Sequence, residues 1–190
     1  MGKVYRNETH IVIPQDTLVL ICGSQNSGKT TFTKKHFANK NVLVTDDIFE
    51  EVIKTEATAS DTLESLACRT TEIFDERIRE LAPKNSITVV DAAPFELKNR
   101  MEMIKELKGL HTNIVLIVLD VRYPTFKSRP KKKVDKKKKM YGITPISDQE
   151  LLYNSLIIAE QIRNGEIGYK VTKAYALCEL DIDKCQVTFE

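Results

Sequence analysis

The stretch Val19-Leu20-Ile21-Cys22-Gly23-Ser24-Gln25-Asn26-Ser27-Gly28-Lys29-Thr30-Thr31 constrains this chain more than any other. A short apolar run ends in a glycine. Four residues later come Gly28-Lys29-Thr30, and then a segment that can be helical. The pattern G-x-x-x-x-G-K-[ST], after a strand and before a helix, is that of a phosphate-binding loop. Gly23 and Gly28 permit backbone angles that turn successive N–H groups toward phosphate oxygens. The helix beginning at the loop adds its positive N-terminal end. Lys29 is expected at the β- and γ-phosphates of ATP, and the Thr30 hydroxyl on Mg²⁺. Ser24, Gln25, Asn26, Ser27 and Thr31 complete the expected ATP-binding set. The rival reading is a glycine-rich turn with an exposed lysine.

Around this loop, short apolar runs alternate with amphipathic segments. The pattern predicts strands at 9–13, 18–22, 42–45, 87–90 and 114–119, with 18–22 central and buried. Helices are predicted at about 29–37 and 48–54. A longer one, capped by Asp61, runs through Ala82 with Leu63, Leu66, Phe74, Ile78 and Leu81 inward. Another places Leu97, Met101, Ile104 and Leu107 on one face, with Gly109 as its stop. A last helix is capped by Ser147 or Asp148, turns Leu151, Ile158 and Ile162 inward, and ends at Gly165. Two final strands, about 174–180 and 186–189, read as a hairpin around Asp181-Ile182-Asp183-Lys184. Strands alternating with helices imply an α/β, three-layer P-loop NTPase/kinase fold: a mostly parallel sheet with helices on both faces. The 190 residues suit one domain over 1–190, with a lid at about 122–145.

Ligand sites in such sheets lie at the carboxyl ends of the strands. Asp91 closes one apolar strand, where a carboxylate helps hold magnesium; the alternative is a strand-end cap. Asp46 and Asp47 close another, expected beside the central strand. Asp46 is assigned as the base that takes a proton from an attacking hydroxyl, and Asp47 as the helix cap. The basic run from Lys127 to Lys139 follows the fourth strand. Three readings of it stand: a lid over ATP, a surface for polynucleotide phosphates, or a solvated loop resembling a nuclear localisation signal. Arg129 is its only arginine, and a planar guanidinium makes the better transition-state clamp.

Composition excludes some classes. Net charge is +2, so the molecule as a whole is no polyanion magnet. Cys22, Cys68, Cys178 and Cys185 show no zinc spacing and read as reduced thiols of a cytoplasmic protein. No signal peptide or membrane span is expected, the longest apolar run being 114–119. The histidines His10, His36 and His111 share no catalytic spacing.

The motifs resemble the kinase domain of bacterial polynucleotide kinase-phosphatases. The resemblance rests on Ile13-Pro14, the strand and loop to Thr30, the helix ending Lys35-His36-Phe37, the strand ending at Asp46, and Thr88-Val89-Val90-Asp91-Ala92 with Arg100 downstream. It implies transfer of the γ-phosphoryl of ATP, with Mg²⁺, to the 5′-hydroxyl end of RNA or DNA. It also implies Asp46 as general base, Lys29 and Thr30 on ATP and metal, and Arg129 with Lys133 in the lid. Asp47 and Arg100 are placed on the acceptor side. Phe49 stands where that family carries an arginine, and Pro94 where it carries an asparagine. A small-metabolite kinase and an ATP-binding module with little turnover are the alternatives.

Overall fold

The computed structural model describes residues 3–6, 8–83, 85–94, 96–107, 109–129, 136–166 and 171–190. At its centre lies β3 (Thr17–Gly23), with all seven positions buried. A strand covered on both faces reads as a continuous apolar run, which is how 18–22 reads. Its side chains alternate between two cores. Val19 and Ile21 pack with Phe32 and Phe37 of the α1 (Lys29–His36) region. Leu18, Leu20 and Cys22 pack on the other face, with residues of α3 (Leu63–Leu81), α4 (Leu97–Glu106) and α7 (Asp148–Asn164). Burying each such aliphatic side chain stabilises the fold by about 1.5–3 kcal/mol.

Among the described residues, β3 is flanked in a six-stranded parallel sheet by β5 (Ile87–Ala93) and β6 (Asn113–Asp120). Beyond β5 lies β4 (Asn41–Val44). Beyond β6 lie β7 (Lys173–Cys178) and β1 (Lys3–Arg6). The sequence predicts β4 beside the central strand, but β5 intervenes. Only one residue of β4 is fully buried, which suits an edge strand and not an inner one.

The expected C-terminal hairpin is absent. β7 pairs parallel with β6 and β1, and its middle four residues are all buried, the pattern of a strand covered on both faces. Residues Glu179–Lys184 form the short helix α8, and β8 (Gln186–Phe189) pairs parallel with β2 (His10–Ile13) in a separate two-stranded sheet. This small sheet covers α1: Ile11 and Ile13 are fully buried, and the Phe37 and Phe189 rings lie 5.8 Å apart.

The helix ends follow local chemistry. Ser147 caps α7 in a capping box with Glu150, and Gly165 closes it at φ 70°. In α3 the cap is Thr62, reciprocated by Ser65. Asp61 instead accepts from Ser65 Oγ and pairs with Arg69 at 2.7 Å. Leu63, expected inward, is exposed, and Thr70 completes the buried face. In α4 the buried face carries Arg100 and Ile104, and Met101 is exposed. At the amino ends of the strands, His111 bridges Asp16 (3.0 Å) and the Thr88 hydroxyl (2.9 Å). Among the described residues, no helix is long and apolar enough to cross a membrane.

Candidate nucleotide site

The loop leaves β3 at Gly23, whose φ of 157° is an angle that residues with a Cβ rarely adopt. Space requires glycine there as well: a Cβ would sit 2.6 Å from Ser27 Oγ and 3.1 Å from the Leu119 carbonyl oxygen. Ser27 N–H donates to the Ser24 carbonyl at 3.2 Å, closing a turn. Gly28 sits at φ 98°, a left-handed angle that glycine adopts without strain, and begins α1. No side chain caps α1, so its first-turn N–H groups are left for a ligand.

A cavity of about 470 Å³ opens over this helix start. Gln25, Asn26, Ser27, Gly28, Lys29, Thr30 and Thr31 form its floor. Lys29 Nζ folds back and donates to the Gly23 and Ser24 carbonyls, both at 2.9 Å, bracing the loop. Two residues far away in sequence complete the wall. Asp46 enters from the first turn of α2 (Thr45–Thr55), and Arg129 from just beyond α5 (Tyr123–Ser128). The Arg129 guanidinium donates to the Asn26 carbonyl at 2.6 Å, so the 122–145 segment touches the loop. Residues Gln25 to Thr31 of the expected set, Asp46 and Arg129 therefore meet at one opening, which Gly23 and the buried Ser24 do not line.

Other expected site residues lie elsewhere. Asp47 is exposed and does not line the cavity. It is not the cap of α2, whose first flanking residue is Val44; Asp46 and Asp47 occupy the first turn, where the helix dipole favours carboxylates. Arg100 is buried away from the opening. It donates to the Pro94 carbonyl (3.2 Å), Gln161 Oε1 (3.1 Å) and the Glu166 carbonyl (3.1 Å), tying the end of β5 to that of α7. It cannot reach an acceptor without breaking these bonds. Lys133 lies outside the described residues. Part of the basic run is already engaged: in α6 (Lys136–Met140), Lys138 pairs with Glu50 at 2.6 Å and Lys137 donates to the Lys54 carbonyl at 3.0 Å.

Asp91 is fully buried in β5, level with Ile21 of β3 and Val44 of β4. Strand alternation puts it on the face of Val89, beneath α1. Among the described residues no three His, Cys, Asp or Glu side chains gather as a protein-only metal cage. A hydroxyl and a carboxylate, Thr30 and Asp91, are hard oxygen donors. As donors they suit a cation that takes its remaining ligands from phosphates and water, although Asp91, unlike Thr30, does not line the cavity.

Sequence reading missed one wall. Ile182 and Asp183 of α8, with Lys35 of α1, also line the cavity, and Lys35 Nζ donates to the Asp183 carbonyl at 3.2 Å. No local signal marks them, because α8 reaches the loop only through the fold.

Comparison with solved structures finds the same architecture at low identity. A chain of the Pnkp1/Rnl/Hen1 RNA repair complex aligns with TM-score 0.54 and 15% identity, over 82% of this chain and 48% of that one. A second Pnkp1/Rnl/Hen1 complex gives 0.50 and 18%, over 74% and 47%. Thymidylate kinase from Candida albicans gives 0.51 and 15%, over 90% and 87%. The chain thus spans about half the length of the two Pnkp1-complex chains. No curated protein matches its sequence. Residues 18–143, about two thirds of the chain, match an AAA domain, AAA_33. The chain has a P-loop kinase fold and belongs to the AAA_33 family of AAA domains.

Proposed function

We propose that this protein is an ATP-dependent kinase that phosphorylates the 5′-hydroxyl end of RNA or DNA in the cytoplasm. The observation that carries the reading is the convergence of Lys29, Thr30, Asp46 and Arg129 on one cavity. Phosphoryl transfer asks for positioning and charge neutralisation, with one group to accept a proton. The loop N–H groups and the start of α1 bind the phosphates. Lys29 exchanges its loop carbonyls for phosphate oxygens. Asp46 takes the proton of the acceptor hydroxyl as its oxygen forms a bond to the γ-phosphorus and the bond to the β-phosphate oxygen breaks. Arg129, held beside Asn26, neutralises charge on the transferring group. Thr30 and Asp91 would hold Mg²⁺, which supplies Lewis-acid neutralisation of the β- and γ-phosphate oxygens.

The fold is shared with kinases of unlike acceptors, so the acceptor has to be argued from residues. The motif resemblance and the lysine-rich run that follows Arg129 in the sequence support a polynucleotide. One observation favours a small-metabolite kinase instead: Phe49 packs with Val52, Ile53 and Leu66, placing an apolar contact where a phosphate clamp would stand.

The test is incubation with γ-labelled ATP, Mg²⁺ and a 5′-hydroxyl oligonucleotide, beside an Asp46→Asn control. Label on the oligonucleotide that is lost in the control supports the reading. Tight ATP binding with no label on the strand overturns it and directs the search to small acceptors.

A further inference from the structure

A second recess of about 520 Å³ lies away from the nucleotide loop, at the carboxyl ends of β6 and β7. Its floor is apolar: Ala159 and Ile162 from α7, and Ala176 from β7. Three arginines surround it, Arg6 at the end of β1, Arg122 just after β6 and Arg163 in the last turn of α7. Arg6 donates to the Ile162 carbonyl. Arg122 and Arg163 are exposed and make no side-chain hydrogen bond or ion pair among the described residues. A helix C-terminus accounts for Arg163 alone, since cations are favoured there. It does not account for guanidinium groups from three separate elements around one hollow.

The wall carries the opposite charge. Asp120 ends β6, and its Oδ1 is buried with no hydrogen-bond partner among the described residues. Desolvation pushes its carboxyl above the usual range, against the pull of Arg122 and Arg6; Glu179 adds to the upward push. A buried carboxylate oxygen without a donor costs free energy, and a ligand bringing an N–H or O–H removes that cost. Inorganic phosphate is the poorer ligand, because it leaves the Ala159, Ile162 and Ala176 floor uncovered.

We propose that this recess is a second ligand site for a free nucleoside monophosphate. The phosphate sits against the arginines, the base or ribose lies on the Ala159, Ile162 and Ala176 floor, and a hydroxyl or N–H donates to Asp120. Three arginines against Asp120 and Glu179 leave one net positive charge, which favours a phosphomonoester near charge −2. The volume suits a ligand of this size. The site also touches the first cavity mechanically. Val121, between Asp120 and Arg122, is buried against Leu151 with Ile182 packed on the same cluster, and Ile182 lines the nucleotide cavity. Cys178, in the recess wall, immediately precedes α8 and donates from Sγ to Asp181 at 3.0 Å.

The test is calorimetric titration of the whole protein with cytidine 5′-monophosphate while a non-hydrolysable ATP analogue saturates the loop. One site is expected, and it should persist in Lys29→Ala, so the result does not depend on how the loop is filled. Arg122→Ala should weaken both cytidine monophosphate and inorganic phosphate by about tenfold or more, the loss of one charge-assisted hydrogen bond. Asp120→Ala should weaken the nucleotide by a similar factor but leave phosphate unchanged or tighter, with no fall in melting temperature. Absence of nucleotide binding at millimolar concentration overturns the proposal. So does binding displaced by the ATP analogue, and so does equal loss of nucleotide and phosphate in Asp120→Ala.

Discussion

Replacing Gly23 by alanine tests the geometry of the loop most directly. The added methyl would stand 2.6 Å from Ser27 Oγ, 3.1 Å from the Leu119 carbonyl oxygen and 3.3 Å from Leu119 Cβ. The first distance is shorter than a real Cβ shows to any heavy atom, so Ser27 must turn or the loop must lift. The second involves backbone of β6, which moves only by straining the β3–β6 pairing. Overpacking of this kind costs about 1–3 kcal/mol. In a chain of this length that lowers the melting temperature by about 2–12 °C. The partner change is Ser27→Ala. Ser27 Oγ is buried with no hydrogen-bond partner among the described residues, so its removal alone should cost under about 0.5 kcal/mol. In the double variant the shortest contact is gone while the positive φ and the Leu119 contacts remain, and we expect part of the Gly23→Ala loss to return. Thermal unfolding of the four proteins by circular dichroism closes the cycle, and ATP titration reports whether the loop recovers with the fold. Strict additivity, with Ser27→Ala restoring nothing, would refute the steric account of Gly23. So would a Gly23→Ala protein as stable as the parent.

Further outcomes are expected elsewhere. Arg129→Ala should lower turnover by about 10²-fold or more, and Arg129→Lys should recover little of it, because a lysine cannot reproduce the planar fork at Asn26; steady-state kinetics reads both. Arg100→Ala should destabilise by about 1–3 kcal/mol, since it leaves half-buried acceptors at Pro94 and Gln161 unpaired, while the acceptor KM stays unchanged; a raised KM at full stability would return Arg100 to the site. The carboxyl of Asp16 is held at about 2, chiefly by the Thr112 hydroxyl and His111. A lowered carboxyl contributes stability above its unfolded value of 3.8, and that stability fades as pH falls toward 2. The melting temperature should therefore drop over that interval, and Asp16→Asn should flatten the drop.

What the sequence disclosed divides by range. The loop was legible because its chemistry is local: glycines, lysine and threonine at fixed spacing between a strand and a helix. The cap at Ser147 and the stop at Gly165 were legible for the same reason. Arg129 stood out as the one arginine in a lysine run. Arg100 misled because its spacing from Asp91 matched the family's arginine, while its place beside Ile104 on the inner face of α4 shows only in three dimensions. The order of β4 and β5 depends on pairing between distant segments, which hydrophobic periodicity does not encode. The C-terminal reading failed because Asp181-Ile182-Asp183-Lys184 has the composition of both a turn and a single helical turn. The contribution of α8 to the cavity was hidden with it.

The small β2–β8 sheet imposes an order in time. His10 and Thr188, which meet across it at 3.1 Å, are 178 residues apart in the chain. Contacts that distant form late, because the intervening loop must be closed before they return any free energy. During synthesis the β3–loop–α1 unit emerges before β8, and Phe37 waits for Phe189 to cover it. Until then α1 presents an apolar back to the solvent, and this is the surface that a chaperone or a neighbouring nascent chain would meet first.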